Sequence, residues 1–195
     1  MRIALGSDHR GARTARAIFS ELLYPENCSE VGTAGFDPSS MLVGAFLVTG
    51  DFSKTGFVGK RVENLLTSIV PSADDDHLSA SPYPRVDYPD IAEVVAQKVG
   101  SGKADFGILV CGTGIGMCVV ANKFRGVRAA LCANEFTAEL SRHHNNANVL
   151  CIPGELLGVN TAVELVRCWL HAGYDGGRHQ MRIEKIDVIE SETGL

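Results

Sequence analysis

The chain has 195 residues, 45% of them hydrophobic and 21% charged, which gives room for one α/β domain with a sizeable core and argues against a disordered chain. A formal net charge of −5 argues against a general nucleic-acid binder, while leaving room for a local basic pocket that takes a small anion. No apolar run approaches the roughly 20 residues that span a bilayer, no signal peptide is visible, and the six cysteines form no C-x-x-C pair, so reduced, buried thiols in a cytoplasmic protein are expected.

Strand-like and helix-like segments then alternate. Arg2 to Gly6 reads as a first strand and Gly11 to Tyr24 as a helix stopped by Pro25. A short strand is expected near Cys28 to Val31. Residues 34 to 85 break the rhythm, being rich in Gly, Ser, Pro and Asp around an apolar patch at Met41 to Val48. A loop of that length reads as an inserted, lid-like segment within a single domain of residues 1–195. Its acidic knot, Asp74 to Asp76, lacks the spaced ligands of a calcium loop and reads as solvated. Tyr88 to Val99 has apolar residues at helical spacing, with Pro89 in its first turn. Phe106 to Cys111 reads as a buried strand, Gly116 to Lys123 as a helix and Val127 to Cys132 as a strand. Phe136 to His144 is a helix, Val149 to Ile152 a strand and Thr161 to Leu170 a helix, and a last helix runs from about His179 to Glu190. This alternation predicts a three-layer, Rossmann-like α/β fold: a parallel sheet with helices on both faces. Ligands bind such sheets beyond the carboxyl ends of the strands, which directs attention to Ser7-Asp8-His9, to Cys111 through Gly116, and to Ala133-Asn134.

The run Phe106-Gly-Ile-Leu-Val-Cys111-Gly-Thr-Gly-Ile-Gly116 carries the chemistry. A strand ends in a thiol, a glycine turn follows, and a helix begins. A thiolate can take a proton from carbon, and backbone N–H groups at a helix N-terminus can hold the resulting oxyanion. Proton transfer on a small carbonyl compound is the reading. The helix N-terminus is expected to lower the Cys111 pKa. The default for a buried cysteine is packing, which is the reading kept for Cys118. The turn is no dinucleotide fingerprint, because the third glycine position would fall on Met117, and no P-loop Lys-Ser/Thr follows. His143 and His144 are adjacent and point about 100° apart on a helix, so they do not ligate one metal together. A histidine suits acid catalysis near neutral pH. Arg178 and Arg182 share a helix face, either as a phosphate clamp or as a solvated basic face bridged to Glu184. Asp8 suits a helix cap as well as a site role.

Read together, Ile3-Ala-Leu-Gly-Ser-Asp8-His9, Val86-Asp87-Tyr88-Pro89-Asp90, Cys111-Gly-Thr-Gly-Ile-Gly116 with Asn122-Lys123, Leu140-Ser-Arg-His-His144-Asn145, Asn148-Val-Leu150 and Gly176-Gly-Arg178-His179-Gln180-Met-Arg182 resemble the ribose-5-phosphate isomerase B family, which includes the galactose-6-phosphate isomerase subunits. The resemblance implies a cofactor-free and metal-free aldose–ketose isomerase of carbohydrate metabolism. It would interconvert ribose 5-phosphate and ribulose 5-phosphate, a pentose phosphate step, through a cis-enediolate. On that resemblance Cys111 is the base between C1 and C2, and Gly112, Gly114 and Gly116 hold the enediolate. Thr113 bonds substrate oxygens, and His144 opens the furanose ring with Asp8 and Asn145 nearby. Asp87 and Tyr88 line the sugar site. His9, Arg178 and Arg182 hold the phosphate, the arginines reaching in on the C-terminal helix from a second subunit. A homodimer or a dimer of dimers is implied. Two departures bear on the substrate: the insertion of roughly fifty residues before Asp87, and Glu155 at a position where the family often has a phosphate-binding arginine. A carboxylate there repels a phosphate dianion unless it is turned away or paired. The alternatives are therefore another sugar (a hexose 6-phosphate, a tetrose phosphate, an unphosphorylated sugar) or a non-catalytic binding module.

Overall fold

The computed structural model describes residues 1–23, 44–53, 56–65 and 85–194. Strand β1 is Arg2–Ser7, and helix α1 is Ala12–Ile18, continued by a π-helical turn at Phe19–Leu23. Strands β2 (Gly44–Ser53) and β3 (Gly56–Asn64) follow, then α2 (Tyr88–Gly100), β4 (Phe106–Cys111), α3 (Ile115–Ala121) and β5 (Ala129–Leu131). Helix α4 (Glu135–Asn145), β6 (Val149–Pro153), α5 (Val159–His171) and α6 (Arg178–Thr193) complete the chain. The six strands form one sheet in the order β3-β2-β1-β4-β6-β5. Strands β1, β4, β6 and β5 are parallel, as alternation with helices requires.

One feature departs from the expected all-parallel sheet. Of residues 34 to 85, read as a lid-like insertion, Gly44–Ser53 and Gly56–Asn64 form an antiparallel hairpin that extends the sheet from β1. Leu5 of β1 sits between Phe46 of β2 and Ile108 of β4. The apolar patch at Met41 to Val48 thus contributes residues to β2, between β3 and β1, with Ala45, Phe46 and Val48 buried. The strand expected near Cys28 to Val31 and the acidic knot lie outside the described residues.

Both faces of the sheet are covered, and the period-2 alternation of strands assigns their side chains. Ile3, Leu5, Ile108, Val110, Leu150 and Ile152 face a core with Ile18, Phe19 and Trp169. Ala4, Leu109, Cys111, Val149 and Cys151 face the other core, with Ile91, Val95 and Met117 from α2 and α3. Trp169 meets Phe106 edge-on at 5.3 Å, and its indole N–H donates to Ser141 Oγ at 3.1 Å. Beside it the buried Arg142 guanidinium lies 4.7 Å from the Phe106 ring centre and donates to the Ala147 carbonyl. The C-terminal helix α6 buries His179 and Ile183 against its own chain and leaves Met181, Ile186, Val188 and Ile189 exposed. Among the described residues, no helix is long and apolar enough to cross a membrane.

Candidate active site

Three loops meet at the carboxyl ends of β1, β4 and β6. Cys111 is the last residue of β4 and is 5% exposed. Its chain turns at once, because Gly114 takes a left-handed φ of 73° and caps α3. The turn brings the Gly114 amide back onto the thiol, donating to Cys111 Sγ at 3.1 Å. A β-carbon at Gly114 would lie 2.5 Å from Leu131 Cδ1 and 3.1 Å from the Ile152 carbonyl carbon, so the turn is packed tightly on β6. Thr113 is exposed at its crest, with Oγ1 accepting from the Ile115 amide at 3.4 Å.

The thiol differs from the expectation. Burial pushes the Cys111 pKa up, and the nearby Asp8 charge adds to it; the amides of Met117, Gly114 and Thr113 pull the other way without winning. The sequence showed the helix N-terminus but neither the depth of burial nor the carboxylate. Asp8 is 4% exposed, and its Oδ1 accepts from the amides of Arg10 at 3.0 Å and Gly11 at 2.8 Å. Its own pKa is raised by desolvation, which those two amides and the charges of His9 and Arg10 only partly offset. Two buried acids thus neighbour each other, and the Asp8 charge opposes ionisation of the thiol.

His9 follows, with Nδ1 accepting from the Val86 amide at 3.4 Å. That contact ties the β1 loop to the segment leading into α2. Asp87 and Tyr88 stand at the start of α2, both exposed. The Tyr88 ring covers Gly116, where a β-carbon would come within 2.6 Å of it. Gly116, inside α3 and without a positive φ, is therefore required by the Tyr88 ring rather than by the turn.

Glu155, the expected departure, is paired. Arg10 Nε donates to Glu155 Oε1 at 2.8 Å and Nη2 donates to Oε2 at 2.5 Å. This fork holds the Glu155 carboxyl below its ordinary range and largely cancels the charge that would repel a phosphate. Nothing in the sequence signalled the pair, whose members are 145 positions apart.

The remaining candidates lie elsewhere. Strands β5 and β6 are parallel, so α4 must carry the chain from the carboxyl end of one to the amino end of the next. His144 and Asn145 end that helix, beside Arg142, which packs on Phe106, the first residue of β4. Cys111 is the last residue of β4, about 16 Å further along the strand at 3.3 Å per residue. Arg178 opens α6 at the same far pole, and Arg182 is exposed one turn on. One chain therefore does not bring His144 and Asn145 together with Asp8 and Cys111. Asn145 instead lines a groove of about 350 Å³ beneath α6, with Arg128, Ile186 and Ile189.

That pole also holds His179, a residue the sequence reading passed over although it sits between the two arginines. Its ring stacks on His144 at 4.2 Å with the planes 7° apart. Its Nε2 lies 3.3 Å from Arg178 Nε, and its buried Nδ1 has no partner among the described residues. Asp175 pairs with His143 Nδ1 at 2.7 Å. Donor atoms of His144, Asp175 and His179 lie within 4.8 Å of one another. The parallel rings place the two histidine lone pairs in separate planes, so the arrangement as it stands is not that of a metal cage. Cys118 was read as packing. Its thiol accepts from Asn122 Nδ2 at 3.5 Å, and its pKa is lowered to about 7, chiefly by Cys151.

A buried thiol under a fan of amides, on a Rossmann-like sheet, defines an isomerase of the aldose–ketose type once the comparisons are added. The chain belongs to the Ribose/Galactose Isomerase family, whose sequence profile matches residues 60–186. It is 49% identical over 106 residues to ribose-5-phosphate isomerase B of Escherichia coli (strain K12), covering 54% of this chain and 71% of that one. It is 43% identical over 105 residues to D-erythrulose-4-phosphate isomerase of Pectobacterium atrosepticum, covering 54% and 69%. The solved structure of ribose-5-phosphate isomerase B from Mycoplasma genitalium with bound ribulose-5-phosphate superposes with a TM-score of 0.63 at 33% identity, covering 96% of this chain and 95% of that one.

Proposed function

We propose that this isomerase interconverts ribose 5-phosphate and ribulose 5-phosphate through a cis-enediolate, without cofactor or metal. The observation that carries the reading is the Gly114 amide on Cys111 Sγ at 3.1 Å, at the end of a buried strand. The Cys111 thiolate takes the C2 proton of the open aldose. The electron pair moves to O1, and amides of the Gly112 to Gly116 turn hold that charge. The O2 hydroxyl proton passes to O1, and the carbon proton returns from Cys111 to C1 as O2 becomes the ketose carbonyl. Because burial and Asp8 hold the resting thiol protonated, turnover requires the substrate and its surroundings to draw that proton away. Thr113 bonds substrate oxygens, Asp87 and Tyr88 line the sugar, and His9 takes part of the phosphate.

His144, Asn145, Arg178 and Arg182 are supplied by a second copy. Within one chain they stand at the wrong pole, and ring opening and phosphate binding need them at the right one. The exposed apolar residues Ile115, Val119, Leu131, Phe136 and Ile189 offer a surface for such pairing, as a homodimer or a dimer of dimers. A Cys111→Ala chain mixed with a His144→Ala chain tests this. Each homo-oligomer is expected to be inactive, and the mixture regains activity because some sites are then intact. No recovery would refute the sharing.

A second substrate reading rests on the relative named as a D-erythrulose-4-phosphate isomerase: a four-carbon sugar phosphate at the same site. Steady-state kinetics on ribose 5-phosphate and on D-erythrulose 4-phosphate decide. The account expects the higher kcat/KM for the pentose, and the reverse order moves the assignment to the tetrose.

A further inference from the structure

We propose that Arg10 and Glu155 act as a positioning pair for the glycine turn, clamping Gly112 so that the amides after it stay aimed at the reacting atoms. This rests on the isomerase reading above and adds two residues to it.

An ion pair between half-exposed side chains is ordinarily worth little, because water screens it and both side chains lose freedom. This one is placed differently. It joins three separate loops: Arg10 belongs to the loop after β1, Gly112 to the turn after β4, and Glu155 to the loop after β6. The fork lies directly on Gly112. A β-carbon there would meet Arg10 Nε at 2.9 Å, Arg10 Cζ at 3.0 Å and Glu155 Oε2 at 3.0 Å. Each member is also fixed from its backbone. The Glu155 amide donates to the Gly112 carbonyl at 3.1 Å, and the Gly154 amide donates to the Cys111 carbonyl at 2.8 Å. The Arg10 amide donates to Asp8 Oδ1 at 3.0 Å, the carboxylate that borders the thiol.

The geometry therefore runs from the fork to the turn to the thiol. With the fork in place, Gly112 is covered by the pair and held through its carbonyl by the Glu155 amide. Without it, the first residue of the turn loses its cover, and the amides of Thr113 and Gly114 sample wider orientations. Misorientation at an oxyanion site lowers the rate of the chemical step more than it lowers binding. Arg10 is required as an arginine, because only the planar guanidinium meets both carboxylate oxygens at once.

The test uses Glu155→Gln, Arg10→Gln, Arg10→Lys and the double variant Arg10→Gln/Glu155→Gln. Each single change is expected to lower kcat about tenfold with KM held within about twofold, an effect of misplaced catalytic groups. Arg10→Lys is expected to fall with Arg10→Gln, since charge without the fork does not clamp. The double variant is expected to be no slower than either single one, as coupled residues behave. Melting temperatures should stay within about 3 °C of the parent, since an exposed pair contributes little to global stability. Hydrogen exchange at Thr113 and Gly114 should speed up in every variant. Wild-type kcat in the singles, full rescue by lysine, or additive losses with unchanged exchange would overturn the proposal. If the parent isomerises none of the sugar phosphates tried, the isomerase reading fails, and the exchange of the turn amides still decides whether the fork clamps it.

Discussion

Replacing Gly114 by alanine perturbs the turn at its tightest point. The residue holds a φ of 73°, where a side chain costs about 1–2 kcal/mol. The new β-carbon would also lie 2.5 Å from Leu131 Cδ1 and about as close to the β6 backbone as contacts tolerate, at 3.1 Å from Ile152 C and 3.2 Å from Pro153 N. Leu131 is 41% exposed and can swing away, but the β6 backbone is held in the sheet and cannot. Together these put the loss at about 2–4 kcal/mol. For a chain of this size each kcal/mol lowers Tm by about 2–4 °C, so a fall of about 5–15 °C is expected. Activity should fall further than stability. Alanine keeps the amide that donates to Cys111 Sγ but displaces it, and the loss of an oxyanion-type donor, about 10²–10³ in kcat, sets the upper end of the expected fall. Thermal melts and steady-state kinetics on the same preparation read both. Gly173→Ala is the control, since nothing among the described residues lies within 4 Å of its added carbon and its φ is not positive. A Gly114→Ala protein with the parent's Tm and kcat would refute the reasoning about the turn.

Asp8→Asn should stabilise the protein at neutral pH. The buried carboxyl has its folded pKa raised above the ordinary 3.8, so its charge costs stability above that value, and the gain from asparagine should vanish once acid protonates Asp8. Melting curves from pH 3 to 8 check this, and a gain that persists at the acid end would contradict it. The same substitution removes a charge that opposes the Cys111 thiolate, so the pH profile of Cys111 alkylation should move to lower pH. Peptide mass spectrometry must follow that reaction, because the Cys118 thiol, with a pKa of about 7, competes for the reagent. Arg142→Met should cost about 2–4 kcal/mol in urea unfolding, since it leaves the buried Ala147 carbonyl without its donor and removes the cation stacked on Phe106. An unchanged midpoint would show that methionine packing repays both losses.

Local features were legible in the sequence, and long-range ones were not. Phe106–Cys111 could be bounded to the residue, because a buried apolar run stood between Asp105 and Gly112. A glycine turn and a helix behind it were legible in the same few residues, but the cap at Gly114 was not, since the helix reads from Gly116 and starts at Ile115. The hairpin at 44–64 escaped notice because its four glycines read as loop punctuation, and its strands are set by pairing, β2 on β1 and β3 on β2, rather than by their own pattern. The direction of the Cys111 shift was missed for a similar reason: the helix N-terminus is local, whereas Asp8 is 103 positions away in the chain and arrives only through the sheet. The distance between His144 and Cys111 was within reach of the sequence. Once β5 and β6 are parallel, the helix between them has to end at the opposite pole.

The central claim is proton transfer by Cys111, and solvent exchange addresses it most directly. The purified protein is incubated with ribose 5-phosphate in deuterated water, and the sugar is followed by NMR. The account predicts conversion to ribulose 5-phosphate with deuterium entering the carbon skeleton, both lost in Cys111→Ala while that variant keeps the parent's fold by circular dichroism. Conversion with label incorporation in Cys111→Ala at the parent's rate would contradict it.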